Sequence, residues 1–191
     1  MCLDNSNNCK DDPDVNRRGD GDGHTTPGEG AAAEQSEARR RRRAGERKTD
    51  IRRLARQIAV QFLYQLDAQN GENLGWLTLF LNEYSQDGQV KQLAAGWIKG
   101  AWQQKAPLDE LIKQTSVNWD LSRLTQVDHS ILRLAVYQLW YCPDIPPKAV
   151  IDEALELAKI FSTAPAPAFV NGILDTIFKK LAGKDKQNLV C

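Results

Sequence analysis

Beyond Thr49 the apolar residues of this chain return every three or four positions, the spacing at which a helix buries one face. Ile51, Leu54, Ala55, Ile58, Phe62 and Leu66 form the first such stripe, with Thr49 or Asp50 able to cap its start and Gly71 to end it. Trp76, Leu77, Phe80 and Leu81 predict a second helix, and Val90 to Lys105 a third before Pro107 interrupts. Gly96 and Gly100 share a face inside that third helix and are read as a site of close packing. Pro107 opens a short helix through Leu108, Leu111 and Ile112, and Val127 to Trp140 forms the next, with Ile131, Leu134, Ala135 and Leu139 inward. After Pro143 and Pro146, the stretch Pro147 to Phe161 sets Val150, Ile151, Ala154, Leu155, Ala158 and Phe161 against a solvated acidic face of Asp152, Glu153 and Glu156. A last helix runs from about Ala168 to Leu181, with Val170, Ile173, Leu174, Ile177 and Leu181 inward. Nothing between Asp50 and Gly183 alternates with period two and no internal repeat occurs, so the expected fold is all-α with six to seven helices.

The first 48 residues are different in kind. They are poor in large apolar side chains and rich in Asp, Asn, Gly and Arg, so they are expected to form a disordered tail, residues 1–48, ahead of a folded domain over 49–183 and a short C-terminal tail over 184–191. The formal net charge of zero hides a partition. Residues 1–38 hold three bases against nine acids, whereas Arg39 to Arg56 hold ten bases against two acids. A basic block of that density points to a polyanionic partner.

No stretch is long and apolar enough to cross a membrane, and the polar start, with Asp4, Asn5 and Lys10, lacks the apolar core of a signal peptide, so a cytoplasmic protein is expected. Cys2, Cys9, Cys142 and Cys191 form no C-x-x-C pair, and neither a metal nor a cofactor is expected. His24 and His129 are read as solvated or locally bonded imidazoles. The sequence carries no G-x-S-x-G, H-E-x-x-H, P-loop or dinucleotide fingerprint, and the acid pairs Asp109/Glu110 and Asp152/Glu153 are read as solvated helix faces, so catalysis is not expected.

The basic block has a geometry that can be worked out in advance. At about 100° per residue, Arg52, Arg53 and Arg56 fall in one arc of the first helix, opposite Ile51, Leu54, Ile58 and Phe62, and are expected to face outward together. Arg39 to Arg43, Arg47 and Lys48 lie directly upstream, suited to a phosphate backbone. Phe169, in the first turn of the last helix, falls at the edge of its apolar stripe, which leaves two placements open: core, or half exposed for base stacking.

Several segments together resemble the NusB family of bacterial transcription antitermination factors. They are Arg52-Arg53-Leu54-Ala55-Arg56-Gln57-Ile58-Ala59-Val60-Gln61-Phe62-Leu63-Tyr64, Trp119-Asp120-Leu121-Ser122-Arg123-Leu124, Val127-Asp128-His129-Ser130-Ile131-Leu132-Arg133-Leu134-Ala135-Val136-Tyr137-Gln138-Leu139, the run from Asp144 to Lys159, and Phe169-Val170-Asn171-Gly172-Ile173-Leu174-Asp175. The resemblance implies two packed three-helix-type bundles without catalysis. It implies that the chain pairs with NusE, a small-subunit ribosomal protein, that the pair binds the boxA element of nascent ribosomal RNA transcripts, and that the complex acts with other Nus factors on the RNA polymerase elongation complex to suppress premature termination.

By position the resemblance assigns RNA contacts to Arg52, Arg53, Arg56 and Phe169, the NusE junction to Asp128, and a nearby RNA-binding arginine to Arg133, for which a buried salt bridge is the alternative reading. Two departures stand out: residues 162–168 carry no charge where relatives often do, and the tail with its Arg39 to Arg43 run is longer than is usual in the family. A similar helical domain also stands at the front of some ribosomal RNA cytosine methyltransferases. A chain of 191 residues is expected to have no room for their catalytic domain. A protein-interaction bundle that has lost RNA binding is the third reading, against which the retained arginines argue.

Overall fold

The computed structural model of the chain describes residues 28–69, 74–116 and 124–187. The readings made for Cys2, Cys9, His24, Gly71, Trp119 to Arg123 and Cys191 fall outside the described residues. Among the described residues seven helices occur: α1 (Gly28–Ala68), α2 (Leu77–Tyr84), α3 (Gly88–Gln103), α4 (Lys105–Thr115), α5 (Gln126–Tyr141), α6 (Pro147–Phe161) and α7 (Ala166–Gln187). No strand occurs among the described residues, and none of their helices is long and apolar enough to cross a membrane.

Most boundaries fall close to the predicted ones, because local chemistry sets them. Asp87 caps α3 by accepting from the Gln89 amide at 2.8 Å. Thr125 and Asp128 form a reciprocal capping box at the start of α5. Pro147 is the first residue of α6, where its missing N–H costs nothing. Pro107 does not open α4 as expected. It sits in the first turn of a helix that starts at Lys105, where no intrahelical partner is needed.

The largest difference is at α1. Residues 28–48, expected to be disordered, are helical, and neither Thr49 nor Asp50 caps anything. The Ala, Glu, Gln, Arg and Lys residues of this stretch are strong helix formers, so continuing the helix is cheap even with no apolar face to bury. The Thr49 hydroxyl donates to the Gly45 carbonyl at 3.1 Å, inside the helix. At the other end α7 reaches Gln187, past the expected stop near Leu181.

Contacts divide the chain into residues 1–41 and 42–191. In the first unit Arg41 and Glu37 are paired at 2.6 Å, both exposed. The second unit carries the core. Its centre is α5, whose residues Ser130, Ile131, Leu132, Arg133, Leu134, Ala135 and Val136 are all buried, so it is enclosed on every side. α5 packs against α3, α4, α6 and α7, and α6 and α7 pack on each other to complete a three-helix group. Around Phe62 of α1, Trp76 at 4.3 Å and Phe80 at 5.0 Å between ring centroids tie α2 to the first helix, and Tyr84 extends the aromatic cluster.

Only one of the two α3 glycines has a packing reason. A Cβ on Gly100 would overlap the Tyr137 ring of α5, whereas a Cβ on Gly96 would meet nothing within 4 Å. Gly96→Ala should therefore raise stability by about 0.5–1 kcal/mol by removing backbone freedom from the unfolded chain. Gly100→Ala should melt below Gly96→Ala, because the ring must move. Thermal unfolding of the two variants followed by circular dichroism checks the order.

Candidate nucleic-acid interface

The buried residues of α1 from Ala55 to Leu66 cover more than half of the helix circumference at about 100° per residue. The arc is that wide because α1 meets several elements, and this changes where the arginines point. Arg56 is 4% exposed rather than outward-facing, and Leu54, expected inward, is 39% exposed. Arg52 is partly buried, and only Arg53, at the margin of the arc, keeps half of its side chain in solvent.

Each of the three arginines meets a partner on a distant element. Arg56 Nε donates to Gln138 Oε1 of α5 at 3.0 Å, its Nη1 stands 3.6 Å from Glu153 Oε2 of α6, and its guanidinium lies 5.3 Å from the centroid of the Trp97 ring of α3. Burial pushes the Arg56 pKa down and the Glu153 carboxylate opposes that shift. Arg53 Nη2 donates to Glu153 Oε1 at 3.3 Å, and this hydrogen bond, with the carboxylate charge, raises the Arg53 pKa. Arg52 Nη2 donates to Asp144 Oδ2 at 3.0 Å in the α5–α6 turn. Glu153 is thus a clamp on two arginines rather than part of a solvated acidic face. Upstream, Arg42 pairs with Glu46, while Arg43 and Lys48 are exposed and make no ion pair among the described residues.

Phe169 is partly buried against the core at the start of α7, its amide donating to the Pro165 carbonyl at 3.4 Å. α7 packs on α6, the helix that holds Glu153. Tyr64, 40% exposed, borders a groove of about 620 Å³ between α1, the start of α5 and residues 161–163. Sequence reasoning had not singled it out.

Asp128 is buried. Its Oδ2 accepts from the Thr125 amide at 3.0 Å and from the Thr125 hydroxyl at 2.6 Å, so its first role is to cap α5. Arg133 is 1% exposed, and the salt-bridge reading is the one its geometry realises: a guanidinium so enclosed offers no donor to RNA. Its Nε and Nη2 donate to Asp109 at 2.8 and 2.9 Å, and its Nη1 donates to Asp67 at 2.6 Å. Asp109, read as solvated, is a structural partner. Lys105 also donates to Asp67 at 2.9 Å and lies over the Trp102 ring. Burial raises the Asp67 pKa, but the hydrogen bonds from Lys105 and Arg133 outweigh it and hold the carboxyl below its usual range.

The Nη2 of Arg133 also lies 3.0 Å from His129 Nδ1, which makes Nδ1 the acceptor and places the ring proton on Nε2, 3.7 Å from Asp109 Oδ1. Burial, with the Arg133 and Lys105 charges, holds the His129 pKa below its ordinary value against the pull of Asp109 and Asp67. Among the described residues no group of three or more His, Cys, Asp and Glu side chains is set to hold a metal ion.

The NusB family model matches residues 53–179, the span that carries Arg53, Arg56, Asp128, Arg133 and Phe169. The chain belongs to the NusB family. It is 42% identical over 135 residues to transcription antitermination protein NusB of Geobacter sulfurreducens, covering 70% of this chain and 97% of that protein. The namesake of Syntrophus aciditrophicus is 38% identical over 136 residues, 71% of this chain and 84% of its own. Among solved structures, T. maritima NusB aligns with a TM-score of 0.59 at 37% identity, covering 67% of this chain and 90% of that one. A structure of NusB and NusE in complex with double-stranded RNA aligns with a TM-score of 0.62 at 27% identity, covering 69% and 98%. The chain is accordingly a transcription antitermination factor of the NusB family.

Two outcomes follow from the buried network. Arg133→Ala should cost about 3–5 kcal/mol in chemical denaturation, since Asp109 would lose its bidentate partner and Asp67 would keep only Lys105. The folded-state pKa of His129 is depressed, so its contribution is present above the unfolded value of about 6.5 and lost as pH falls below it. Between pH 7 and pH 5.5 the melting temperature of the wild type should fall more than that of His129→Gln, which has no proton to take up there.

Proposed function

We propose that this antitermination factor pairs with NusE and binds the boxA element of nascent ribosomal RNA transcripts. In this reading it acts in the cytoplasm with other Nus factors on the RNA polymerase elongation complex, suppressing premature termination by binding and without catalysis. The observation that carries it is the arginine edge of α1. Arg53 presents a half-exposed guanidinium that Glu153 holds in place, so little ordering entropy remains to be lost when a phosphate arrives. Arg52 adds a second charge beside it, and Arg56 acts from within by fixing the same carboxylate. Phe169 stacks on an unpaired base with the exposed part of its ring, while Asp128 and Arg133 set the position of α5 at the NusE junction. A solved NusB–NusE pair on RNA, in a relative that this chain matches over most of that relative's length, supports the same partners.

Titration of a boxA RNA and a scrambled control, each with and without NusE at near-physiological salt, tests the proposal. NusE should raise affinity for boxA alone. Arg53→Ala should weaken binding and lower the salt slope by about 0.7–0.9 with little change in unfolding midpoint. Phe169→Ala should cost about 1–3 kcal/mol of RNA affinity. Equal binding of both RNAs with no effect of NusE would sink the reading.

A further inference from the structure

A glycine inside a helix costs about 0.5–1 kcal/mol relative to alanine, so its presence asks for a reason. Gly100 has one in the Tyr137 ring, whereas a Cβ on Gly96 would meet nothing within 4 Å among the described residues. Gly96 instead opens onto a groove of about 880 Å³ between α1 and α3. One wall is basic, made by Arg47, Lys48 and Arg52 of α1, and the other carries the exposed amides of Gln89 and Gln92 on α3. Among the described residues no carboxylate lines it. Lys48 makes no ion pair among the described residues, and Arg47 reaches Asp87 only at 3.9 Å, so both cations are available to an anion. Ile51 and Leu93, both half buried, supply apolar surface beside the bare Gly96 backbone.

These features select an occupant. A cationic wall suits phosphate, terminal amides donate to and accept from base edges, and a side-chain-free patch flanked by aliphatic carbons accepts a flat ring. The volume lies in the range of small-ligand clefts, enough for a nucleotide. Arg52 belongs both to this groove and to the arginine edge, so a strand lying on that edge continues into it.

We propose that the α1–α3 groove binds an unpaired nucleotide of the RNA that flanks the recognised element, with its phosphate on Arg47 and Lys48, its base over Gly96, and its base edge read by Gln89 and Gln92. The inference rests on the RNA-binding reading above and adds to it a second site on the same strand. Such a site extends the length of RNA held by the protein, and it does so through residues of α3 that the arginine edge does not use.

The test uses the full chain with NusE and two fluorescein-labelled boxA RNAs, one trimmed to the element and one with short unpaired flanks. The flanked RNA should bind the wild type more tightly. Gly96→Leu projects a side chain into open space in a helix, so the protein should stay folded by circular dichroism. It should bind the flanked RNA about tenfold more weakly while binding the trimmed RNA as the wild type does. Lys48→Ala should lower the salt slope on the flanked RNA by about 0.7. Wild-type affinity of Gly96→Leu for the flanked RNA would overturn the groove assignment and leave the arginine edge standing. Weakened NusE binding by Gly96→Leu in the absence of RNA would make the groove a protein site and overturn it too. Failure of the wild type to bind either RNA would remove the RNA-binding reading itself, and this inference with it.

Discussion

A guanidinium taken out of water must meet carboxylates, and Arg133 is enclosed to within 1% of its surface at the middle of the molecule. Its partners come from two other helices: Asp109 from α4 through two parallel hydrogen bonds, and Asp67 from the end of α1. Asp67 also holds Lys105 at the start of α4. One buried charge therefore fixes where α1 ends and where α4 begins relative to α5. A buried pair of this sort adds little net stability over a well-packed apolar substitute. What it supplies here is register, because a bidentate contact tolerates small displacement poorly while Leu against Leu tolerates much.

From that centre the rest of α1 follows. With its end tied to α5 and α4, and Phe62 seated among Trp76 and Phe80, the last part of the helix is held in place, and Arg52 and Arg53 meet the α5–α6 turn and α6. The meeting of α1 with α6 is electrostatic in character. Arg52 finds Asp144, and Arg53 and Arg56 share the two oxygens of Glu153. Arg52, Arg53 and Arg56 are thus held in place as well as charged. Under the proposed function, a nucleic-acid backbone arriving at this edge would meet guanidiniums whose directions are already set, and it would compete with Asp144 and Glu153 for them. Competition of that kind limits non-specific affinity, since a weakly placed phosphate does not displace a carboxylate already at hydrogen-bond distance.

Arg56 illustrates how a family residue divides its work. Its position in the sequence groups it with Arg52 and Arg53, yet its donors are spent on Gln138 and Glu153, and its plane faces Trp97. It positions the carboxylate that positions Arg53. Arg133 and Asp128 are similar cases on α5, where one organises the core and the other caps the helix. The candidates that keep some surface, Arg52, Arg53 and Phe169, stand on a frame that the buried ones build.

The sequence alone determined that this chain is a set of helices, and the limits of most of them. Pro147 and the Thr125/Asp128 pair act within one turn of themselves, so α6 starts at the predicted residue and α5 within one of it. Family membership was equally legible, because it rests on the order of short motifs. α1 begins upstream of Thr49, where no apolar stripe marks it, because Ala, Glu and Arg extend a helix with no core to serve. Which face of a helix is inside was decided only in three dimensions. Leu54 is exposed and Arg56 buried, since the apolar stripe of one helix reports a single contact surface, whereas α1 has several neighbours. The partners of Arg133 lie 24 and 66 positions away, and no periodicity within one helix carries information about side chains that only packing brings together.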